Sequence, residues 1–200
     1  MISIALAVPA AAGENLGLGV HVGAHHNVGA LTDQSPAAMT DPQNSLLLGF
    51  SLKVNMSFFF LRTGFDTTFT MNDGEVLDGS DQIESYSIQY VVVPGFAGFR
   101  FPFRDRGEMY MGAGMAYFIA DGEVTVAGAS EDVSAINRGY GLLAGVEYRL
   151  LPDVHFYMEW QYYDAHSEAL AKTQTSYTWD NYYLDYSGHR IILGVMYYML

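Results

Sequence analysis

The feature that most limits the possible folds is a charge at alternate positions within a strongly apolar segment, residues 141–164. Its sequence, GLLAGVEYRLLPDVHFYMEWQYYD, contains Glu147, Arg149 and Glu159 with Val, Tyr, Met and Trp around them. Strict alternation places polar and apolar side chains on opposite faces of a β-strand. The segment therefore needs an apolar environment on one face and a polar environment on the other.

The same alternation recurs along the chain and predicts eight strands, whereas no long segment has a convincing helical period. Two strands lie within 141–164, and six others are predicted near residues 16–25, 46–55, 59–69, 86–101, 109–119 and 189–199. In the first of these, Leu16, Leu18, Val20 and Val22 alternate with glycines and His21. The segment YVVVPGF interrupts the alternation, which predicts a β-bulge at Pro94-Gly95.

The predicted connections alternate between short and long. Short turns fall near residues 55–57, 102–107 and 151–153, and long polar segments fall near 31–44, 71–85, 121–137 and 164–181. This asymmetry is typical of bacterial outer-membrane barrels. We therefore expect an all-β fold, an eight-stranded antiparallel up-and-down transmembrane β-barrel with short periplasmic turns and four long extracellular loops.

Residue size indicates which face of the sheet points outwards. A soluble, lipocalin-like barrel would also alternate, with its apolar face inside. Here the polar face is rich in glycine, which suits a narrow lumen, and the apolar face carries Leu, Val, Phe, Met, Trp and Tyr. No basic residue needs to face lipid, where each would cost about 2–4 kcal/mol at the midplane. The apolar face is therefore predicted to contact acyl chains.

The charged residues on the polar face are then expected to pair inside the barrel, because an unpaired buried charge is strongly unfavourable. Eight strands leave room for side chains but not for an aqueous channel. A narrow proton or ion path is the functional alternative to a filled lumen. The predicted polar network of the lumen comprises Lys53, Arg62, Asp66, Arg100, Glu147, Arg149, Glu159 and Gln161.

Composition restricts the class and location of the protein. Two hundred residues with 50% hydrophobic and 16% charged residues form one ordered domain. The formal net charge of −13 argues against nucleic acid as a partner, because phosphates require clustered Lys and Arg. Residues 1–12, which end in Ala10-Ala11-Ala12, resemble a signal-peptide remnant. The expected organisation is a remnant at 1–12 and a barrel at 13–200.

Three segments resemble the small bacterial outer-membrane β-barrel proteins, the OmpA/OmpX type and the related outer-membrane protein beta-barrel domain family. YMGAGMAYF at 110–118 is similar to a strand of that family, and residues 141–163 look like its Gly-x-Glu-Tyr-x-Leu hairpin. GHRIILGVMYYM at 188–199 resembles the closing strand that the barrel-assembly machinery reads. The resemblance covers about residues 14–200. It implies a bacterial outer-membrane location and contact with outer-membrane lipid and lipopolysaccharide.

Candidate reactive residues favour no cofactor, metal or catalytic site. His21 and His25 share the inner face but lie roughly 13 Å apart along a strand, too far to chelate one ion. The segment DAHSEAL offers His166, Ser167 and Glu168, as a lipid A-modifying barrel hydrolase would require. In those enzymes the histidine and serine are spaced His-x-Ser, whereas here they are adjacent and would point to opposite faces.

The second long connection is acidic. Its carboxylates could bind Ca²⁺ or bridge lipopolysaccharide phosphates through divalent ions, or they could simply be solvated. With the other acidic connections they form an anionic cap that favours an extracellular cationic ligand. The acidic residues of this connection are Asp73, Glu75, Asp78, Asp81 and Glu84.

The expected function is structural or interactive, in the envelope or at the cell surface, with no open pore. Adhesion and ligand contact are the interactive roles that we expect of the exposed loops. The alternatives are a narrow pore or hydrophobic-ligand conduit similar to OmpW, and the lipid A hydrolase.

Overall fold

A computed structural model describes residues 16–27, 31–33, 44–71, 74–75, 83–103, 106–126, 128–165, 171–172, 182–184 and 186–199. Within these ranges, eight strands form the wall of a closed barrel. They are β1 (Leu16–Asn27), β2 (Asn44–Met56), β3 (Phe59–Thr70), β4 (Ile83–Phe103), β5 (Gly107–Val126), β6 (Ala129–Leu151), β7 (Val154–Asp164) and β8 (Gly188–Met199).

Each strand pairs antiparallel with its neighbours in the chain, and β8 closes the barrel by pairing with β1. Three short pairings lie beyond the wall, in or beside the long connections. They join Leu31–Asp33 to Tyr182–Leu184, Gly74–Glu75 to β4, and Ala171–Lys172 to β6. The predicted up-and-down topology is confirmed. None of the described residues belongs to a helix that is long and apolar enough to cross a membrane.

The short turns and the described chain ends lie at the same end of the barrel. Ser57 and Phe58 join β2 to β3, and Ser57 adopts a positive φ of 55°, which closes the turn tightly. Pro152 and Asp153 join β6 to β7. Leu16 at the start of β1 pairs with Met199 at the end of β8. This arrangement matches the expected periplasmic end.

The third long connection differs from the predicted irregular loop. β4, β5 and β6 contain 21, 20 and 23 residues, and the pairing of β5 with β6 continues as far as Val126 and Ala129. Gly128, with a φ of 76°, lies in the tight turn between these strands. Valine favours strands and recurs in the sequence at 124, 126 and 133, and the backbone ladder continues through this segment although its charges predict a loop.

The predicted bulge at Pro94-Gly95 is wrong. Pro94 pairs with Ala116 and Gly95 with Met115, in a register between β4 and β5 that is constant from Ser85 to Phe103. On the other side, Thr63 pairs with Gly95 and Asp66 with Val92, but the two intervening positions are not paired. Pro94 has no N–H group to donate, so the ladder between β3 and β4 is interrupted beside it. No extra residue is inserted, so the interruption is not a bulge.

The outer wall is covered by large apolar side chains. Val20 and Val22 of β1 are 66% and 57% exposed, and Leu48 and Phe50 of β2 are 50% and 54% exposed. Their chain neighbours are small or buried, so the alternation predicted from the sequence is confirmed. Apolar patches larger than a few hundred Å² are rare on soluble monomers and mark contact with a membrane or a partner. The wall therefore has the apolar surface that contact with acyl chains requires.

Candidate functional site: the barrel lumen

The end of the lumen near the short turns contains a lower ionic cluster around Lys53. Its Nζ donates hydrogen bonds of 2.9 Å to Glu108 Oε1 and of 2.9 Å to Glu147 Oε2, and the lysine side chain is fully buried. His155 Nδ1 lies 2.6 Å from Glu147 Oε1, and Arg100 pairs with Glu108. Each carboxylate thus has at least two donors, which offset its loss of hydration.

Tyr198 extends the lower ionic cluster to the last strand. Its hydroxyl donates a 3.1 Å hydrogen bond to Glu147 Oε2, and its ring lies 4.7 Å from the ring of His155. The ring of Tyr110 lies 3.9 Å from Lys53 Nζ, which places the ammonium against an aromatic face. The cluster therefore links strands from opposite sides of the barrel.

A central ionic cluster surrounds Glu159. Arg62 Nε lies 2.8 Å from Glu159 Oε1, and the Tyr110 hydroxyl donates a 2.7 Å hydrogen bond to the same oxygen. Gln161 Nε2 donates to Glu159 Oε2 at 3.0 Å, and Gln161 Oε1 accepts from Tyr163 at 2.9 Å. The amide of Gln161 therefore extends the ion pair towards the opposite end of the lumen.

Asp66 belongs to the same central cluster. Arg190 Nη1 donates a 2.8 Å hydrogen bond to Asp66 Oδ2, and His21 Nε2 lies 2.8 Å from Asp66 Oδ1. The other nitrogen of His21 lies 3.0 Å from the hydroxyl of Tyr157. A Cβ atom at Gly49 would collide with both Asp66 and His21, so the narrow lumen requires glycine there.

The end of the lumen near the long connections is aromatic rather than ionic. The ring of Phe118 lies 5.4 Å from that of Tyr163 and 5.4 Å from that of Tyr186, with Tyr186 stacked at 13°. Tyr90 lies 5.6 Å from Tyr186, and its hydroxyl pairs with His25. We call this group the aromatic cluster: Tyr90, Phe96, Phe118, Tyr163 and Tyr186. The sequence analysis predicted paired charges in the lumen and did not predict this aromatic cluster.

Most of the residues predicted for the polar network contact one another inside the barrel. Six are buried there, and Arg100 and Arg149 are half-buried near the short turns. The six buried residues are Lys53, Arg62, Asp66, Glu147, Glu159 and Gln161. They divide between the lower and central ionic clusters and do not form one continuous ladder.

The predicted network omitted several partners that complete the clusters. Alternation puts Arg190 and His21 on the polar face, but the predicted network does not include them. Glu108 lies beside the predicted turn at 102–107, where alternation gives no signal. Tyr110 and Tyr157 have buried rings and could have been found from their position on the inner face.

The comparisons with known proteins agree with this architecture. The model of the family described as outer membrane protein beta-barrel domain matches residues 2–198. The chain belongs to this family. Its membership, together with the apolar wall, places the protein in the bacterial outer membrane. A search of curated protein sequences finds no significant match.

Solved structures of other members of the outer-membrane barrel class share the fold. OprG from Pseudomonas aeruginosa is 14% identical, with a TM-score of 0.69 and coverage of 94% of this chain and 96% of that one. The neisserial surface protein NspA is 13% identical, with a TM-score of 0.59 and coverage of 92% and 97%. The N-terminal barrel of P. aeruginosa OprF is 12% identical, with a TM-score of 0.54 and coverage of 94% and 99%. These likenesses concern the fold alone.

The barrel of this protein also has a groove of about 520 Å³ in its outer wall. The groove follows strands β2 to β5, where Thr63, Gly95, Ala97 and Ala113 are small outward-facing residues. It lies beside the unpaired positions next to Pro94, and the Thr63 hydroxyl donates a 2.8 Å hydrogen bond to the Pro94 carbonyl. The lipid-facing wall is therefore concave at this point.

Two predicted groups fall mainly or wholly outside the described residues. For Glu75 and Glu84 of the acidic loop only the backbone is described, and Asp73, Asp78 and Asp81 lie outside. The hydrolase candidates, which are His166, Ser167 and Glu168, also lie outside. In the described part of the chain, no three His, Cys, Asp or Glu side chains converge as a metal site would require.

Proposed function

We propose that the protein is a structural barrel of the envelope with no open pore, which presents its long connections for contact at the cell surface. The observation that supports the closed lumen is its filling by two ionic clusters and one aromatic cluster. Lys53, Arg62 and Arg190 are buried to 2% exposure or less, and so are Phe118 and Tyr163. An ion crossing the barrel would have to displace paired charges and then packed rings.

Planar-bilayer recording tests the closed lumen. We expect the purified protein to insert without discrete conductance steps. The double variant Phe118→Ala/Tyr163→Ala serves as a comparison, because it removes the two rings that meet in the aromatic cluster. Discrete steps from the parent protein would contradict the proposal and favour the narrow-pore alternative.

The acidic connections support the interactive part of the proposed role. A cap with this charge favours an extracellular cationic ligand, or divalent ions that bridge to lipopolysaccharide. We expect cells that display the protein to retain a cationic peptide, and the retention to weaken with salt because screening shortens the electrostatic reach. Shortening the connection at residues 71–85 should reduce the retention of the peptide. Equal retention by the parent and the shortened variant would remove the support for this role.

We further propose that the protein is not an enzyme. The histidine at 166 and the serine at 167 are adjacent, so on a strand they would point to opposite faces. Their adjacency supports the proposal, because a catalytic pair on a strand needs one residue between its members. Replacing His166 and Ser167 by alanine should leave the lipid A acylation pattern of an expressing strain unchanged. A changed pattern would restore the hydrolase alternative.

The groove in the outer wall favours one second candidate function, a conduit for hydrophobic ligands similar to OmpW. Small residues and the interrupted ladder beside Pro94 weaken the wall at this place. The substitution Ala97→Phe would fill the groove, and Ala144→Phe is a matched control on the outward face of β6. If the conduit operates, only Ala97→Phe should slow the uptake of a hydrophobic fluorophore by vesicles that contain the protein.

A further inference from the structure

Arg138 is the only arginine or lysine of the described barrel wall that faces outwards. Alternation along β6 places it on the same face as Ile136 and Tyr140, which are 68% and 70% exposed, and Arg138 is exposed as well. Its chain neighbours, Asn137 and Gly139, are buried. The expectation that no basic residue faces the lipid side is therefore wrong at this position, and the charge of Arg138 requires an explanation.

Arg138 lies at the outer edge of the apolar wall. Tyr117 of β5 pairs with it in register, and Tyr140 is the next outward residue of β6 towards the short turns. Tyrosines are typical of the level at which acyl chains meet lipid headgroups. Further from the membrane, the outward face of β5 becomes acidic at Asp121 and Glu123, which are both exposed. Arg138 is therefore at headgroup level.

The backbone at Arg138 is held by the side chain of Asn137. The N–H of Arg138 donates a 2.6 Å hydrogen bond to Asn137 Oδ1, and Asn137 Nδ2 donates one of 3.0 Å to the carbonyl of Ala165. The register between β6 and β7 reaches only as far as Tyr140 and Asp164, so these bonds join the two strands beyond the end of their ladder. They keep Arg138 on the outward face.

The guanidinium of Arg138 needs an anionic partner. In the described part of the chain no carboxylate pairs with it. A charge beside an apolar surface is unfavourable unless it reaches a polar group, and the long stem of arginine lets its head bend to headgroup level. The planar fork of guanidinium donors matches the oxygens of a phosphate. Asp121 and Glu123 would repel such an anion, so the outward face of β5 offers it no alternative contact.

We propose that Arg138 binds a phosphate group of lipid A in the outer leaflet. This contact forms on the barrel wall and needs no divalent ion. It is therefore independent of the acidic connections, whose proposed contact with lipopolysaccharide uses bridging cations. A phosphate bound at this level would fix one glycolipid beside β5 and β6 while its acyl chains lie along the apolar wall.

Binding of bis-phosphorylated lipid A to the folded protein in a zwitterionic detergent tests this site, by surface plasmon resonance with EDTA present throughout. We expect Arg138→Gln to weaken the apparent affinity at least tenfold, because a charge-assisted bidentate pair is lost. Arg138→Lys should fall between the two, since lysine keeps the charge and loses the fork. The matched control is Arg106→Gln, which removes an exposed arginine at the short-turn end and should leave the affinity unchanged.

Two further ligands identify the source of the phosphate. Dephosphorylated lipid A should bind the parent about as weakly as bis-phosphorylated lipid A binds Arg138→Gln. Inorganic phosphate at the same concentration should not displace lipid A from the parent, because it lacks the acyl chains that the wall contacts. Displacement by inorganic phosphate would replace the proposed lipid site by a site for free anions.

The same measurements can overturn the proposal. It fails if Arg138→Gln binds lipid A like the parent, if Arg106→Gln loses as much affinity, or if removal of the phosphates leaves binding to the parent undiminished. Heat-modifiable migration on a gel verifies that each variant is folded. Should Arg138→Gln not fold, Arg138→Met takes its place, and the comparison of the two forms of lipid A on the parent protein needs no variant.

Discussion

Replacing Lys53 by methionine tests whether the lower ionic cluster is held by paired charges. The substitution keeps the length of the side chain and removes its charge. Lys53 Nζ contacts Glu108 and Glu147, at 2.9 Å each, from a fully buried position. Without the ammonium, both carboxylates lose their cationic donor from β2.

The expected magnitude follows from the donors that remain. Removing one partner of a buried ion pair costs about 3–5 kcal/mol. Here Glu108 keeps Arg100, and Glu147 keeps His155 and Tyr198. We therefore expect a loss near the lower limit, about 3 kcal/mol in the free energy of unfolding, which is a change of roughly a hundredfold in the unfolding equilibrium.

Urea titration of the barrel refolded in lipid vesicles measures this loss, with tryptophan fluorescence and heat-modifiable gel migration as independent signals. The double variant Lys53→Met/Glu147→Gln should recover most of the stability, because replacing a whole buried pair by neutral groups is often close to neutral. Lys172→Met, which removes a positive charge beside the outer end of β6, should change it by less than about 1 kcal/mol.

Two results would refute this reasoning. If the free energy of unfolding of Lys53→Met is within about 1 kcal/mol of that of the parent, the buried carboxylates are hydrated or paired differently. If the double variant is no more stable than the single one, the loss comes from packing around Tyr110 and not from an unpaired charge.

Three further perturbations test the wall and the lumen. Val20→Arg should destabilise the barrel by about 2–4 kcal/mol in the same urea titration, and an unchanged midpoint would contradict a lipid-facing Val20. Gly114→Val should cost about 1–3 kcal/mol, because a Cβ there would collide with the backbone carbonyl of Gly95, whereas Ala113→Val on the lipid face should change little. Tyr157→Phe, which removes the hydroxyl 3.0 Å from His21, should cost about 1 kcal/mol. If Tyr157→Phe leaves the free energy of unfolding unchanged, water replaces that hydroxyl.

The strands and the orientation of their faces could be predicted from the sequence because alternation is a local signal. Once Lys53 and Arg62 are assigned to one face, the direction of every other residue in those strands follows. The lipid-facing side follows from size, since a narrow lumen requires residues such as Gly49. These inferences need no knowledge of which strands are neighbours.

The contacts could not be predicted, because they depend on register between distant segments. Glu108 meets Lys53 across 55 positions of sequence, and Arg190 meets Asp66 across 124. The pairing of His26 with His189 exists only because the first and last strands close the barrel. Local signals also failed where charges indicated a loop at 121–137, although the ladder continues there.

The ionic clusters account for the selection of one strand register more than for the stability of the folded barrel. Apolar residues of similar volume often replace a buried ion pair without loss, so pairing alone gives little net stabilisation. A slip of one residue in β2, however, would turn Lys53 towards lipid, at about 2–4 kcal/mol, and leave Glu147 without its cationic partner. We infer that the clusters penalise incorrect registers more than they stabilise the correct one.

This inference predicts a separation between stability and folding fidelity. Lys53→Met/Glu147→Gln should approach the stability of the parent once folded, because residue 147 no longer carries a charge and Glu108 keeps its pairing with Arg100. It should nevertheless refold with a lower yield of the heat-modifiable form, because a slipped β2 no longer exposes a charge to lipid. A parental yield at equal lipid and protein concentrations would show that the register is selected elsewhere, with the glycine contacts of β4 and β5 the next candidates, since Gly98 and Gly114 admit no Cβ there.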